Sequence, residues 1–142
     1  MARGMDAIAH TVPEGQEKVD AVASIIDYQE GGEVQHATIQ YLAQRAQLEL
    51  GWLDNLAASD VPASLIWGVD DPIAPPAVAD FVWDEYLSSR DTPAEYWQLP
   101  NANHYLQNDQ PEVLEALVRG ALGESIDLDT FPADVRPQPI DP

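Results

Sequence analysis

The hydrophobic spacing changes character at Pro62, and the alternation that follows limits the fold more than any other feature of the chain. Ala63-Ser64-Leu65-Ile66-Trp67 is a short run closed by Gly68, apolar on successive positions as a strand buried on both faces would be. Val69 to Pro76 is dense in turn residues. Helical spacing returns from Ala77 to Ser89, with Val78, Phe81, Val82 and Tyr86 on one side. Ala94 to Leu99 (AEYWQL) reads as a second strand, stopped by Pro100. Pro111-Glu112 then opens a helix whose apolar face is Val113, Leu114, Leu117, Val118 and Leu122, and Gly123 closes it. Strands alternating with helices predict a parallel α/β sheet. A parallel pair this apolar normally lies inside a wider sheet, because unpaired strand edges are costly.

Upstream of Pro62 the spacing is helical. Thr11-Val12-Pro13-Glu14 has the marks of a helix start. Val19, Val22, Ile25, Ile26 and Tyr28 make one stripe, which Gly31-Gly32 should end. A second helix is expected over residues 35 to 58, with Ile39, Leu42, Ala43, Ala46, Leu50, Leu53 and Leu56 on its apolar face. Gly51 weakens its middle by about 1 kcal/mol relative to alanine. Residues 124 to 142 hold four prolines and scattered acids without period, which predicts an extended or poorly ordered arm.

A chain of 142 residues can build one compact domain. Its charge restricts what that domain can bind. Twenty-five acids against six bases give a net charge of −19, and Lys18 is the single lysine. Phosphate backbones and anionic lipid are repelled, so neither nucleic acid nor a membrane surface is an expected partner. Two causes of the acidity compete: simple solubility, or adaptation to a high-salt cytoplasm in which screening weakens the self-repulsion. The absence of cysteine excludes disulfides and thiolate metal sites. MARGMDAIAH lacks the apolar region of a signal peptide, and no run approaches the ~18 apolar residues that span a bilayer. The expected setting is cytoplasmic.

In an open parallel sheet, functional groups gather beyond the carboxyl ends of the strands. Each predicted strand here ends in a loop with a titratable residue: Asp70 and Asp71 after the first, His104 after the second. If the strands are neighbours, a carboxylate and an imidazole meet, and such a pair is the orienting half of a nucleophilic triad. The bland alternatives are a turn aspartate before Pro72 and a histidine that is merely exposed.

The wording of the two segments is specific. Val61-Pro62-Ala63-Ser64-Leu65-Ile66-Trp67-Gly68-Val69-Asp70-Asp71-Pro72 resembles the late-strand segment of α/β-hydrolase-fold enzymes, and Leu99-Pro100-Asn101-Ala102-Asn103-His104-Tyr105-Leu106-Gln107-Asn108-Asp109-Gln110-Pro111-Glu112 resembles their histidine loop. The histidine followed by an aromatic residue, Leu-Gln and an acid is most similar to the haloalkane dehalogenase and epoxide hydrolase branch. The resemblance spans about residues 40 to 122. It implies that Asp71 is the triad acid and His104 the base, with Asp70 one residue early in a surface turn. It also implies that the first helices are the end of a helical cap, whose Tyr28 and Tyr41 could contact substrate. A tyrosine on a half-buried helix face is the plainer account of each.

The chain departs from that family in one decisive respect. The nucleophile elbow, Gly-x-Ser-x-Gly or Gly-x-Asp-x-Gly, is absent, as are the oxyanion-hole loop and the central strands. The resemblance therefore implies a partial α/β-hydrolase fold: a cap-like segment at 1–38, the C-terminal part of the core at 39–123, and the tail at 124–142. None of Ser24, Ser59, Ser64, Ser88, Ser89 and Ser125 has an elbow context, and Ser64 falls inside the predicted buried strand. The expected function is that of a hydrolase part supplying acid and base, with the nucleophile coming from a second polypeptide or a missing N-terminal half. Ester, halide or epoxide hydrolysis of this kind needs neither metal nor organic cofactor. The alternative is a non-catalytic module that self-associates into a homo-oligomer, and a truncated piece of a hydrolase is a third reading.

Overall fold

The computed structural model describes residues 16–141. The helix start expected at Thr11–Glu14 lies outside them. Helix α1 (Gln16–Asp27) leads into a 3-10 turn (Tyr28–Glu30), α2 (Gly31–Thr38) and α3 (Tyr41–Ala57). Gly31-Gly32 begins a helix rather than ending one. The break falls at Glu30, which has a left-handed φ of 61°, while Gly31 is helical at φ −56° and ψ −29°. The single long helix expected over 35–58 is likewise divided by a turn at residues 39–40.

The α/β part follows the predicted order. Strand β1 (Ala63–Gly68), helix α4 (Pro76–Val82), strand β2 (Ala94–Leu99), a short α5 (Leu106–Asp109) and helix α6 (Pro111–Ala121) succeed one another. Helix α4 runs into a π-helical turn (Trp83–Leu87), closed by Ser88 N donating to Trp83 O at 2.9 Å, and both Trp83 and Leu87 are buried there. Strands β1 and β2 pair in parallel, with Leu65 opposite Tyr96, Ile66 opposite Trp97 and Gly68 opposite Leu99. Side chains alternate across a strand, so this register sorts the core into two halves. On one face Leu65, Trp67 and Tyr96 pack with Ala79, Trp83 and Leu87. On the other, Ile66, Trp97 and Leu99 pack with Ala102, Val113 and Leu117. Helices thus cover both faces, as expected of an α/β sheet.

The tail corrects the sequence reading. Residues beyond Gly123 are packed into the domain: Ile126, Leu128 and Phe131 lie on the second core cluster and Ile140 on the first. Strand β3 (Gln138–Pro139) pairs antiparallel with β2, and Ile140 N donates to Tyr96 O at 2.9 Å. Arg136 ties the preceding loop, donating from Nη2 to the carbonyls of Phe131 (3.0 Å) and Asp129 (3.1 Å). The sheet order is β1-β2-β3, so β2 is paired on both sides while β1 is an edge.

That edge position produces a second correction. Strand β1 was expected to be buried on both faces, yet only Gly68 is fully buried and Ser64 is exposed. No described residue supplies the neighbour on its outer side. The leading helices are also thinly covered: α3 buries no residue and leaves Leu42, Leu48, Leu50 and Trp52 exposed. Among the described residues no helix is long and apolar enough to cross a membrane.

Candidate active site

The loops at the carboxyl ends of β1 and β2 are locked together by backbone contacts. Val69 N donates to Leu99 O at 3.0 Å, which continues the ladder past the strand ends, and Asp70 N donates to Ala102 O at 2.9 Å. Gly68 makes the crossing close. A Cβ there would meet the Ala102 carbonyl and would lie 2.5 Å from the Asn103 carbonyl oxygen, so any side chain would push the histidine loop off the sheet.

Each loop is also stiffened internally. Asn101 takes a left-handed φ of 54°, a conformation asparagine tolerates, and donates from Nδ2 to Asp134 O at 2.7 Å. Asn103 Oδ1 accepts from Tyr105 N at 3.0 Å, and Asn103 N donates to Asp109 Oδ2 at 2.8 Å. The buried Gln110 donates from Nε2 to Pro100 O, joining the two ends of the loop. These bonds fix the backbone on either side of His104.

The outcome is a close pair. His104 Nδ1 stands 2.9 Å from Asp71 Oδ2. The other carboxylate oxygen, Asp71 Oδ1, accepts from Ile73 N at 2.8 Å and Ala74 N at 2.9 Å. Burial alone would push the carboxyl up, but the Ala74 N–H, the His104 ring and the Ile73 N–H outweigh it and hold Asp71 below 3.8. An ionised Asp71 can only accept, so Nδ1 carries the proton in the neutral ring and Nε2 is left as the basic nitrogen. The Asp71 side chain is 4% exposed and the His104 side chain 37% exposed, so the carboxylate is shielded while the ring is open. Tyr105 meets the ring edge-on, with centroids 5.3 Å apart.

A small hollow of about 120 Å³ adjoins the pair, walled by Ile66, Gly68, Asn103 and Leu106. Two larger hollows of about 450 Å³ lie elsewhere, one against Glu124 and Asp127, the other against Arg90 and Ile140.

Asp71 and His104 are therefore brought together. Asp70 is exposed and its side chain is not the partner of the ring. Tyr28 and Tyr41 are exposed on the leading helical segments, and neither lines the hollow beside His104. Among the described residues, Asp71 is the one side chain hydrogen-bonded to the His104 ring, and no serine stands at Nε2. No group of three or more His, Asp or Glu residues there could hold a metal ion. Gln110 and Asn103 were not singled out as positioning residues from sequence. Their signal was present in the turn-rich NANHYLQNDQ stretch, since a loop this polar must satisfy its own backbone.

No family model matches the sequence, and no solved structure matches it significantly. Similarity is found to a protein named "Putative hydrolase LipZ" in two strains of Mycobacterium tuberculosis, at 26% identity over 100 residues. The matched stretch is 70% of this chain and 33% of that protein, so the chain spans about a third of the length of the curated relatives it matches.

Proposed function

We propose that Asp71 and His104 are the acid and base of a hydrolytic active site whose nucleophile is supplied from outside the described residues. The observation that carries the reading is the 2.9 Å contact between His104 Nδ1 and a shielded, doubly anchored Asp71 carboxylate. Similarity to a protein named as a hydrolase agrees with it in class. In this reading His104 Nε2 takes a proton from an attacking hydroxyl, or from the water that resolves a covalent intermediate. Asp71 holds the ring in the Nδ1–H tautomer and stabilises the imidazolium as it forms. The hollow beside the ring is large enough for a few waters, at about 30 Å³ each, or for a small leaving group.

The substrate is an ester, a halide or an epoxide. The dehalogenase and epoxide hydrolase branch draws no support from the similarity to LipZ, so substrate trials must decide among the three. The test is turnover of a nitrophenyl ester, a haloalkane and an epoxide by the isolated chain and by its native assembly. The reading expects the assembly to cleave at least one substrate and the isolated chain none. Turnover by the isolated chain, or by neither, contradicts it.

A self-associating, non-catalytic module is the second reading, favoured by the exposed apolar residues of α3. A net charge of −19 on each copy opposes it.

A further inference from the structure

We propose that Trp67 is a positioning residue for the Asp71–His104 pair: its indole N–H pins the loop whose backbone aims the Asp71 carboxylate at the ring. The consequence for catalysis rests on the reading of that pair as half of an active site.

The carboxylate is aimed from one side. Oδ1 accepts from Ile73 N at 2.8 Å and Ala74 N at 2.9 Å, which leaves Oδ2 for His104 Nδ1. Both donors belong to the short stretch 72–75, and the backbone holds that stretch poorly. Pro72, Ile73 and Pro75 are exposed, and neither Pro75 nor Pro76 brings an N–H. Among the described residues, its backbone-to-backbone hydrogen bonds come down to Val78 N donating to Pro75 O, which closes the first turn of α4. Without a further hold, the stretch would drift from the sheet and carry both donors with it.

Trp67 supplies that hold. It is the residue of β1 just ahead of Gly68, and its Nε1 donates to Ala74 O at 2.8 Å. Its ring packs on the first core cluster, with Ala79, Trp83, Leu87 and Tyr96. The anchor is therefore the stiff partner and the loop the soft one, so the bond fixes the loop to the core. Ala74 is gripped at both polar groups, its carbonyl by Trp67 and its N–H by Asp71. Among the groups that hold the Asp71 carboxyl down, the Ala74 N–H is the strongest. A plainer account is that a packed indole simply needs an acceptor. Trp83 separates the two. It is 3% exposed in the same cluster, and its Nε1 is buried without a partner. Trp83→Phe thus removes the same bulk as Trp67→Phe and no hydrogen bond.

The test compares Trp67→Phe and Trp83→Phe in the full chain by nuclear magnetic resonance. Trp67→Phe should speed amide exchange at Ile73 and Ala74 about fivefold to tenfold, the scale of one neutral hydrogen bond. It should also raise the pH at which the Asp71 carboxyl titrates, and move part of the His104 ring to the Nε2–H tautomer, read from the ring nitrogen shifts. Trp83→Phe should do none of these, although lost core volume lowers its stability. The parent chain gives a measurement that needs no variant to fold: the Trp67 indole proton should exchange as slowly as the Ala74 amide, because one opening of the loop releases both. Unchanged exchange at Ile73 and Ala74 in Trp67→Phe, an equal response to Trp83→Phe, or a freely exchanging Trp67 indole beside a protected Ala74 would each overturn the inference. None of these readouts needs turnover. A pair ordered by Trp67 in an assembly that hydrolyses nothing would sink only the functional reading, and unmoved Asp71 and His104 signals in Trp67→Phe only this one.

Discussion

His104 and Asp71 are separated by 33 positions in sequence, yet Nδ1 and Oδ2 lie 2.9 Å apart at the ends of two adjacent parallel strands. The contact follows from pairing. Once Gly68 sits opposite Leu99, the next residues of both chains leave the sheet side by side. The bonds from Val69 to Leu99 and from Asp70 to Ala102 keep them together.

Replacing Asp71 by asparagine should preserve the fold and spoil the ring. Asn Oδ1 can still accept from Ile73 and Ala74, but the amide would face Nδ1 and favour the wrong tautomer. Turnover by the native assembly should fall by about 10³–10⁴, the scale seen when a triad acid is neutralised. Asp71→Ala should in addition cost about 1–3 kcal/mol, since two backbone N–H groups lose their acceptor. Steady-state rates and urea unfolding check the two claims separately.

The same carboxylate sets an acid limit on stability. Asp71 is held below its ordinary value of 3.8, so its contribution is fully present above 3.8 and is lost as pH falls through the lower folded value. Urea unfolding at a series of pH values should show parent and Asp71→Asn converging below that point. Parallel curves would mean that Asp71 is not linked to folding.

Gly68→Ala should lift the histidine loop. The added methyl meets the carbonyls of Ala102 and Asn103, which are backbone atoms and cannot rotate away. The cost should be about 1–3 kcal/mol. Thermal unfolding measures it, and faster amide exchange at Asp70, whose N–H bonds to Ala102 O, reports where the strain is released.

Tyr96 supplies an alkaline counterpart. Its phenol is pushed up to about 12, mainly by burial, while its hydrogen bond from Gln98 pulls it down and the Asp80 carboxylate adds to the rise. The raised value means that the contribution is intact below 10 and is lost as pH rises through about 12. Ultraviolet titration should show one phenol ionising late, and Tyr96→Phe should remove it at a cost of about 1 kcal/mol for the lost hydrogen bonds.

Much of this could be read from local signals in the chain. The strands at 63–68 and 94–99 stand where the changes of hydrophobic period place them, because strand and helix spacing are short-range properties. That a carboxylate could meet His104 followed once the strands were taken as parallel neighbours, but spacing left Asp70 and Asp71 open, and the choice of Asp71 came from the resemblance of the two loop segments. The tail was not. Strand β3 is two residues long and includes Pro139, so it has no period, and its order comes from distant contacts with Trp97 and Tyr96. The break between α1 and α2 was missed because glycine is the usual left-handed residue, and here Glu30 takes that conformation while Gly31 is helical.

The most direct test of the account is the turnover of the native assembly with His104→Ala in place of the parent chain. The account predicts a loss of about 10³-fold or more in kcat with the assembly's mass unchanged, as expected when the proton acceptor of a triad is removed. Turnover at the parent rate, in an assembly of the same mass, would contradict it.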